Sequence, residues 1–285
     1  MPISEGIDFR NPPVAGVAMR LTQRVTRITA PNAGVMTGPG TNTYVVGERD
    51  LAVIDPGPAI ASHVAAIVRH AGRRLRWIFV THTHLDHSPA ARAVAAETGA
   101  QLIGRPPPDG GRQDRDFVPE HVPNDGEVIV CDGCTLRAVQ TPGHASNHLC
   151  WLLEEERLLF TGDHIMQGST VVITPPDGDM SAYFASLEKV LALDVDVLAP
   201  GHGSLIGEPQ AAVRRLIGHR LWRERKVVDA LADAGTPTLD ELLPVVYSDV
   251  APQLHAAARG SLHAHLLKLA RDGRAIQTAD RWRAA

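Results

Sequence analysis

Residues Thr81 to His87 read Thr-His-Thr-His-Leu-Asp-His and directly follow the apolar run Trp77-Ile78-Phe79-Val80. Imidazole and carboxylate groups are the usual ligands of zinc and related transition metals. His82 and His84 are two residues apart, so in an extended chain their side chains project to the same side. Asp86 and His87 follow where the chain must turn, and they can point to a second nearby position. The stretch predicts a site for one or two metal ions at the end of a buried strand.

The residues that follow indicate that this stretch joins a strand to a helix. Ser88-Pro89 offers an N-cap residue and a proline at the first helical position, and the Ala-rich sequence beyond it stops at Gly99. The ends of parallel strands are where α/β folds usually keep their chemistry. A histidine-rich surface turn is the alternative, which the spacing and the context disfavour.

Three later apolar segments end in the same way. They lead into Thr141-Pro142-Gly143-His144, Thr161-Gly162-Asp163-His164 and Pro200-Gly201-His202-Gly203. Each combines a predicted strand, a sharp turn that contains Gly, and then a candidate ligand. Together with the first stretch, these strand ends predict one shared metal site.

Asp55 is a further carboxylate at a strand end, after the predicted strand Leu51 to Ile54. Two interpretations of it stay open from the local sequence. It can orient a histidine ligand through a hydrogen bond, or it can serve only as a turn-forming residue before Pro56.

Composition places the chain among globular proteins. It has 285 residues, 44% of them hydrophobic, and a formal net charge of −4, which gives no general attraction to nucleic acid or to anionic membranes. From Ile206 onward there are 12 Lys+Arg and 9 Asp+Glu, against 16 and 23 before it. No apolar run reaches the ~18 residues of a membrane span, and the N-terminus lacks the pattern of a secretory signal. We expect a cytoplasmic protein that does not interact with membranes.

The three cysteines do not predict a disulfide framework. Cys131 and Cys134 form a C-x-x-C pattern, which is found in redox motifs and zinc sites. Strand-like residues flank it on both sides, so we interpret Asp132-Gly133 as the turn of a β-hairpin.

The segment from Arg105 to His121 is rich in Pro, Gly and charged residues. It is longer than an ordinary connection, and we expect a mobile surface loop. Arg112 and Arg115 are candidates for binding an anionic ligand, although solvated charge is the favoured interpretation.

The chain divides into a catalytic part, 1–205, and a C-terminal part, 206–285. Apolar residues recur at helical spacing after His202, Thr238 with Glu241 forms a capping box, and a helix is expected from about Pro252 to Arg271 before a short strand. Three helices and a small β element predict a winged-helix-like domain. Its basic helix face either binds nucleic acid or is simply solvated.

These motifs, in this order over roughly residues 20 to 205, resemble the metallo-β-lactamase superfamily. The resemblance implies an α/β fold, the four-layer αβ/βα sandwich, with a dinuclear site. It assigns Asp55 to orienting the ligands and Asp163 to bridging the two metals. It implies that His82, His84 and His144 bind one metal, whereas Asp86, His87 and His202 bind the other.

The C-terminal part resembles the β-lactamase-like protein 2 branch of that superfamily. The resemblance rests on Gly218-His219-Arg220, Arg223-Glu224, His265-Leu266 and Lys268-Leu269. It implies an endoribonuclease acting on single-stranded RNA as one function, and it makes cleavage of β-lactams an unlikely activity because Asp163 stands where those enzymes usually lack a bridging carboxylate.

The predicted function is that of a hydrolase with two Zn²⁺ ions per chain, iron and manganese being the alternative metals. Two ions about 3.5 to 4 Å apart can share a water and supply hydroxide at neutral pH. Asp86 is expected to relay a proton as well as bind metal, and His164 is expected from its position to donate a hydrogen bond to the developing negative charge.

The substrate stays open between single-stranded RNA and a small ester, thioester or lactone. Two further classes are an iron-dependent persulfide dioxygenase with a single metal ion, and a non-catalytic nucleic-acid-binding protein whose metals only stabilise the fold. The sequence also leaves open whether the chain forms a homodimer.

Overall fold

The computed structural model describes residues 7–9, 12–131 and 133–285. Strands and helices alternate through the catalytic part, as predicted. The strands are β1 (Ala18–Arg20), β2 (Val25–Thr29), β3 (Asn42–Gly47), β4 (Leu51–Ile54), β5 (Leu75–Phe79), β6 (Gln101–Ile103), β7 (Val128–Cys131), β8 (Cys134–Gln140), β9 (Leu149–Leu153), β10 (Leu158–Gly162), β11 (Val197–Pro200), β12 (Ala275–Thr278) and β13 (Arg281–Ala284). The α-helices are α1 (Ala61–Ala71), α2 (Ala90–Thr98), α3 (Met180–Leu191), α4 (Pro209–Ala234), α5 (Leu239–Val246) and α6 (His255–Arg271).

Two sheets pack face to face to form the inner layers of the catalytic part. One has the order β1-β2-β3-β4-β5-β6 and the other β11-β10-β9-β8-β7. Their inner faces meet through aromatic side chains, with ring centroids 5.0 Å apart for Tyr44 and Phe160 and 4.7 Å apart for Phe79 and Trp151. Buried aromatic pairs of this kind stabilise the contact beyond their area alone.

Helices cover the outer face of each sheet, which completes the αβ/βα sandwich. Ile67 of α1 and Val94 of α2 pack in a buried apolar cluster with residues of β4 and β5. Leu187 of α3 and Val213 of α4 do the same against β10 and β11. The apolar stripes of these helices therefore bury the sheet faces that would otherwise be exposed to water.

Local sequence signals set several helix ends. Asp179 caps α3 by accepting a hydrogen bond from the backbone N–H of Ala182 at 2.9 Å. Gly99 ends α2 in the left-handed conformation, with φ of 75°. Ser88, which the sequence predicted as the N-cap of α2, does not cap the helix. Its hydroxyl donates to Asp114 Oδ2 at 2.8 Å instead.

The C-terminal part contains α4, α5, α6 and the hairpin β12–β13, so the predicted winged-helix domain is confirmed. The capping box of Thr238 and Glu241 is present at the start of α5. Leu242, Leu262 and Trp282 share one buried apolar cluster. The division at residue 205 stays a prediction, since α4 packs against both parts.

The segment 105–121 is anchored more firmly than a mobile surface loop, so that prediction is wrong for its central residues. Gln113, Asp114 and Phe117 are buried. The backbone N–H of Asp114 donates to the carbonyl of Thr83 at 2.7 Å, and the hydroxyl of Thr83 donates to Gln113 Oε1 at 2.6 Å. Polar residues pack here because they have buried hydrogen-bond partners. The binding of anions by Arg112 and Arg115 stays a prediction.

Two smaller expectations concern the cysteines and the membrane. Cys131 and Cys134 are opposite each other in the antiparallel pair β7 and β8, as expected for a β-hairpin, and their thiols are free. Asp132, in the predicted turn, lies outside the described residues. Within the described part of the chain, no helix combines the length and the apolar character needed to cross a bilayer. The cytoplasmic location stays a prediction.

Candidate metal centre

The strand ends that carry the predicted ligands meet at one edge of the sandwich. Backbone hydrogen bonds hold their loops together: Leu149 N–H donates to Thr81, Gly201 N–H donates to Gly162, and Asn42 N–H donates to Gly201, at 2.7 to 2.9 Å. All seven predicted metal ligands fall into three overlapping groups, in each of which the ligand atoms lie within 4.8 Å of one another. The groups are His82, His84 and His144; His82, His87 and Asp163; and Asp86, His87 and His202.

The first group consists of histidines alone. His84 Nδ1 lies 3.0 Å from His82 Nε2 and 3.0 Å from His144 Nε2. Nitrogens bound tetrahedrally to one zinc ion at the usual bond lengths would be about 3.3 Å apart. The three rings therefore converge with a spacing that suits a single metal ion.

The group of Asp86, His87 and His202, called the second group from here on, combines a carboxylate with two histidines. Asp86 Oδ2 lies 3.2 Å from His202 Nε2 and 3.4 Å from His87 Nε2. Asp163 stands between the groups: its Oδ1 is 3.3 Å from His202 Nε2, and its Oδ2 is 3.6 Å from His144 Nε2. Its two oxygens thus face different groups, which is the arrangement of a bridging carboxylate.

Two of these ligand atoms lack a hydrogen-bond partner among the described residues. His87 Nε2 and Asp163 Oδ1 are buried and make no hydrogen bond to any residue that the structure describes. Leaving such groups unsatisfied costs about 1–3 kcal/mol each, and more for a charge. Bound divalent cations would satisfy both atoms, and the nitrogen-rich donor set suits zinc and similar transition metals.

The two groups differ in the protonation of their histidines. Burial, and after it the neighbouring His144, lowers the pKa of His84 to about 4. Burial acts in the same direction on His202, but the carboxylate of Asp163 outweighs it and raises the pKa of His202 to about 9. The pKa of His87 is likewise raised well above its usual value, because Asp86, Asp163 and Asp55 outweigh burial. Without metal, His82 and His84 are neutral at pH 7, whereas His87 and His202 carry protons.

Asp55 orients His87. Its Oδ1 accepts the backbone N–H of Thr81 and its Oδ2 accepts the Thr81 hydroxyl, both at 2.7 Å, and Oδ2 lies 2.9 Å from His87 Nδ1. With Nδ1 bonded to a carboxylate, Nε2 faces the metal position with its lone pair. The structure places Asp55 in the orienting position rather than in a turn alone.

The loop that carries His202 is held by residues that the sequence did not single out. His202 Nδ1 lies 3.2 Å from the carbonyl of Gly40. The amide of Asn42 donates to the carbonyls of Pro200 and Gly203, and the hydroxyl of Tyr44 donates to Pro200 at 2.7 Å. Asn42 and Tyr44, two polar side chains on the same face of strand β3, are the signal that could have revealed them.

His144 is oriented by a segment, 171–173, that the C-terminal domain holds in place. The carbonyl of Val172 lies 2.7 Å from His144 Nδ1. On either side of it, the guanidinium of Arg220 in α4 donates to the carbonyl of Val171, and the N–H of Ile173 donates to Ser261 Oγ in α6 at 3.2 Å. The second domain therefore helps to position a ligand in the first.

His164 and His148 lie behind the ligands. His164 is completely buried and belongs to none of the three groups. Its ring nitrogens have no hydrogen-bond partner among the described residues, and burial lowers its pKa to about 3. A ring without an exposed face cannot donate to a substrate, so we do not retain His164 as a donor. His148 Nε2 instead accepts the backbone N–H of Asp163 at 3.2 Å, which positions the carboxylate of Asp163.

Comparison with known proteins places this geometry in a family. The Metallo-beta-lactamase superfamily matches residues 36–202, and the Beta-lactamase associated winged helix domain matches residues 238–282. The chain belongs to the metallo-β-lactamase superfamily. The predicted fold and hydrolase superfamily are thereby confirmed.

Several members of the superfamily are similar over most of their length. An atrochrysone carboxyl ACP thioesterase of Aspergillus chevalieri is 34% identical, with 92% of this chain and 86% of the relative covered. A beta-lactamase-like protein 2 homolog of Caenorhabditis elegans is 31% identical, with 89% and 86% covered. The crystal structure of a beta-lactamase domain protein from Burkholderia ambifaria matches with a TM-score of 0.79 and 17% identity, covering 96% of this chain and 95% of that one.

We predict that the two metal positions respond differently to pH. Metal binding at the second group must displace protons from His87 and His202, so its affinity should rise about tenfold per pH unit for each proton released between pH 6 and 8. Binding at the first group displaces no proton from His82 or His84 in this range, because burial keeps both neutral. Competition titration of the metal-free protein with a chelator would measure both affinities. Parallel pH dependence of the two sites would contradict the assignment.

The substitution Asp55→Asn should weaken the second metal position by about 10-fold to 100-fold, because the amide cannot accept from His87 as the carboxylate does. The same titration at pH 7 measures it. Asp50→Asn is the matched control, since Asp50 lies in the turn before β4 and forms an exposed ion pair with Arg76. Equal affinities in the Asp55 and Asp50 variants would show that Asp55 does not orient the ligand.

Releasing the segment 171–173 should weaken the first metal position. We expect Arg220→Gln and Ser261→Ala each to lower its affinity by about tenfold while circular dichroism shows a folded protein. Arg259→Gln, on the exposed side of α6 where Arg259 pairs with Asp240, is the control. Unchanged affinity in the doubly substituted protein would refute the role of the C-terminal domain.

Proposed function

We propose that this protein is a hydrolase with two divalent metal ions, zinc in the first place, and that its substrates are thioesters. The observation that carries the metal assignment is the position of Asp163. Its oxygens face the three-histidine group on one side and His87 and His202 on the other. A carboxylate placed in this way serves two ions better than one.

When bound, the ions would supply a water that is deprotonated near neutral pH and would polarise the carbonyl oxygen of the substrate. The chain's own residues hold and shape this site. Asp163 stays ionised, because His202 and His87 outweigh burial and keep its pKa well below the usual value. Asp86 is the more exposed carboxylate, with 29% of its side chain accessible against 13% for Asp163, so it is the one placed to pass a proton to a departing group.

The chemistry of the leaving group favours thioesters. A thiol has a pKa of about 8.5, so a thiolate departs near neutral pH with little help from an acid. The alkoxide that leaves an ester or a phosphodiester is far more basic and needs a positioned proton donor. His164, the predicted donor, is buried away from any substrate. A site whose more accessible carboxylate, Asp86, is its one candidate proton donor among the predicted ligands therefore suits a thiolate leaving group.

Two further observations support this choice. The Aspergillus relative is named as a thioesterase, whereas the name of the beta-lactamase-like protein 2 homolog states no substrate. The catalytic part up to residue 205 carries 16 Lys+Arg against 23 Asp+Glu, a balance that repels a polyanion such as RNA. Single-stranded RNA remains the second candidate, on the resemblance of the C-terminal part to the endoribonuclease branch.

Purified protein loaded with zinc should hydrolyse an acyl-pantetheine thioester, and the variant His82→Ala, Asp86→Asn should lose at least about a thousandfold in kcat/KM through loss of both metal positions. Release of the free thiol measures the reaction. A labelled single-stranded RNA is incubated with the same two preparations. Cleavage of RNA that disappears in the variant, without thioester hydrolysis, would replace the thioesterase by a ribonuclease.

A further inference from the structure

A cavity of about 580 Å³ lies beside the loops that follow the predicted ligands Asp163 and His202. One wall is formed by residues 166–170, which follow Asp163, and another by residues 205–208, which follow His202. Gln167 Oε1 lies only 3.2 Å from where a Cβ on Gly203 would stand, so the first wall reaches the residue next to a predicted ligand. The volume is that of a site for a small molecule or cofactor.

The third wall is α4, which presents a positive charge to the cavity. Arg215 and His219 are one helical turn apart and both line it. The guanidinium of Arg215 makes no hydrogen bond or ion pair with any residue that the structure describes, and Glu208, also on the cavity wall, does not pair with it. His219 Nδ1 is buried and equally lacks a partner within the described residues. These donors are free to bind a ligand.

The rest of the lining is mixed in character. Gln167, Ser169 and Thr170 offer amide and hydroxyl groups, and Leu205 and Leu216 offer apolar surface. Such a lining suits an elongated ligand that alternates amides with short alkyl segments and ends in an anion. The pantetheine arm with its phosphate, on which carrier proteins bear acyl thioesters, has this chemistry.

We infer that the cavity binds the phosphopantetheine arm of the thioester substrate and that Arg215 pairs with its phosphate. The inference rests on the proposed function, since it requires the thioester carbonyl to lie at the metal centre. A guanidinium binds a phosphate through parallel N–H donors, and His219 supplies a further donor one turn along the helix. Binding of single-stranded RNA would instead need a row of cations along a groove, and among the described residues of the lining Arg215 alone is permanently charged positive.

Two thioesters with the same acyl group test the phosphate contact, one on 4′-phosphopantetheine and one on pantetheine. The wild-type protein should show kcat/KM about 10-fold to 100-fold higher for the phosphorylated substrate, as expected for a charge-assisted contact. Arg215→Ala should reduce the phosphorylated substrate to the level of the other and leave the pantetheine thioester unchanged, with the loss in KM. Arg215→Lys should retain part of the preference.

Arg214→Ala is the matched control, because Arg214 is exposed on the same helix and does not line the cavity. Equal rates for the two substrates in the wild type would overturn the inference, and so would an equal loss for both in Arg215→Ala.

Calorimetric binding of free 4′-phosphopantetheine separates this inference from the proposed function. Binding that depends on Arg215, without hydrolysis of either thioester, would leave the site standing and remove the proposed reaction. Hydrolysis of both thioesters without binding that depends on Arg215 would do the reverse. Displacement of phosphopantetheine by a short single-stranded RNA would assign the site to RNA phosphate and overturn the inference.

Discussion

The buried carboxylate of Asp163 is the constraint on which the rest of the metal centre depends. An ionised carboxylate inside a protein must be surrounded by positive charge, and here imidazoles from several strand ends face its two oxygens. The imidazole of His87 and the carboxylate of Asp163 can come this close because the residue between them, Gly201, has no side chain. A Cβ on Gly201 would stand 2.7 Å from His87 Cε1 and 3.0 Å from Asp163 Oδ1. The parallel pairing of β10 with β11 then brings Asp163 and His202 to the same edge of the sheet.

The partners of the ligand histidines decide which nitrogen is available to a metal. Nδ1 of His87 faces a carboxylate, and Nδ1 of His144 and His202 face backbone carbonyls. A carbonyl or carboxylate oxygen accepts a hydrogen bond from Nδ1–H, so the proton stays on Nδ1 and the lone pair on Nε2 is available to a metal. His84 is the exception, since its Nδ1 faces the other two nitrogens of the first group. The backbone thus fixes the chemistry of the site as well as its shape.

Contacts that are local in sequence could be predicted, and those between distant segments could not. The spacing within Thr81 to His87, the Gly turns at the strand ends and the capping box at Thr238 all depend on residues a few positions apart. The support of Val171 by Arg220 joins residues 49 positions apart, and no local pattern contains it. Composition also misled for the segment around Gln113, because polar residues look solvated unless their buried partner, here Thr83, is known. The donor role expected of His164 is not supported for a related reason: its position next to a ligand in sequence does not determine whether its side chain is exposed, and it is buried.

Helix α4 packs against both the catalytic part and the C-terminal part, and its contacts explain the role of the basic residues in the C-terminal part. A basic face on this helix is one reason to expect contact with nucleic acid. However, Arg220 and Arg223 are buried. Arg223 forms a bidentate salt bridge with Asp249, in which its two Nη atoms lie 2.7 and 2.8 Å from the two carboxylate oxygens. Lys226 also pairs with Asp249. The charges of Arg223 and Lys226 are therefore neutralised within the domain. Arg220 holds the segment that orients His144, and Arg215 lines the cavity beside α4. This distribution of charge fits a domain that completes an active site better than one that binds a polyanion.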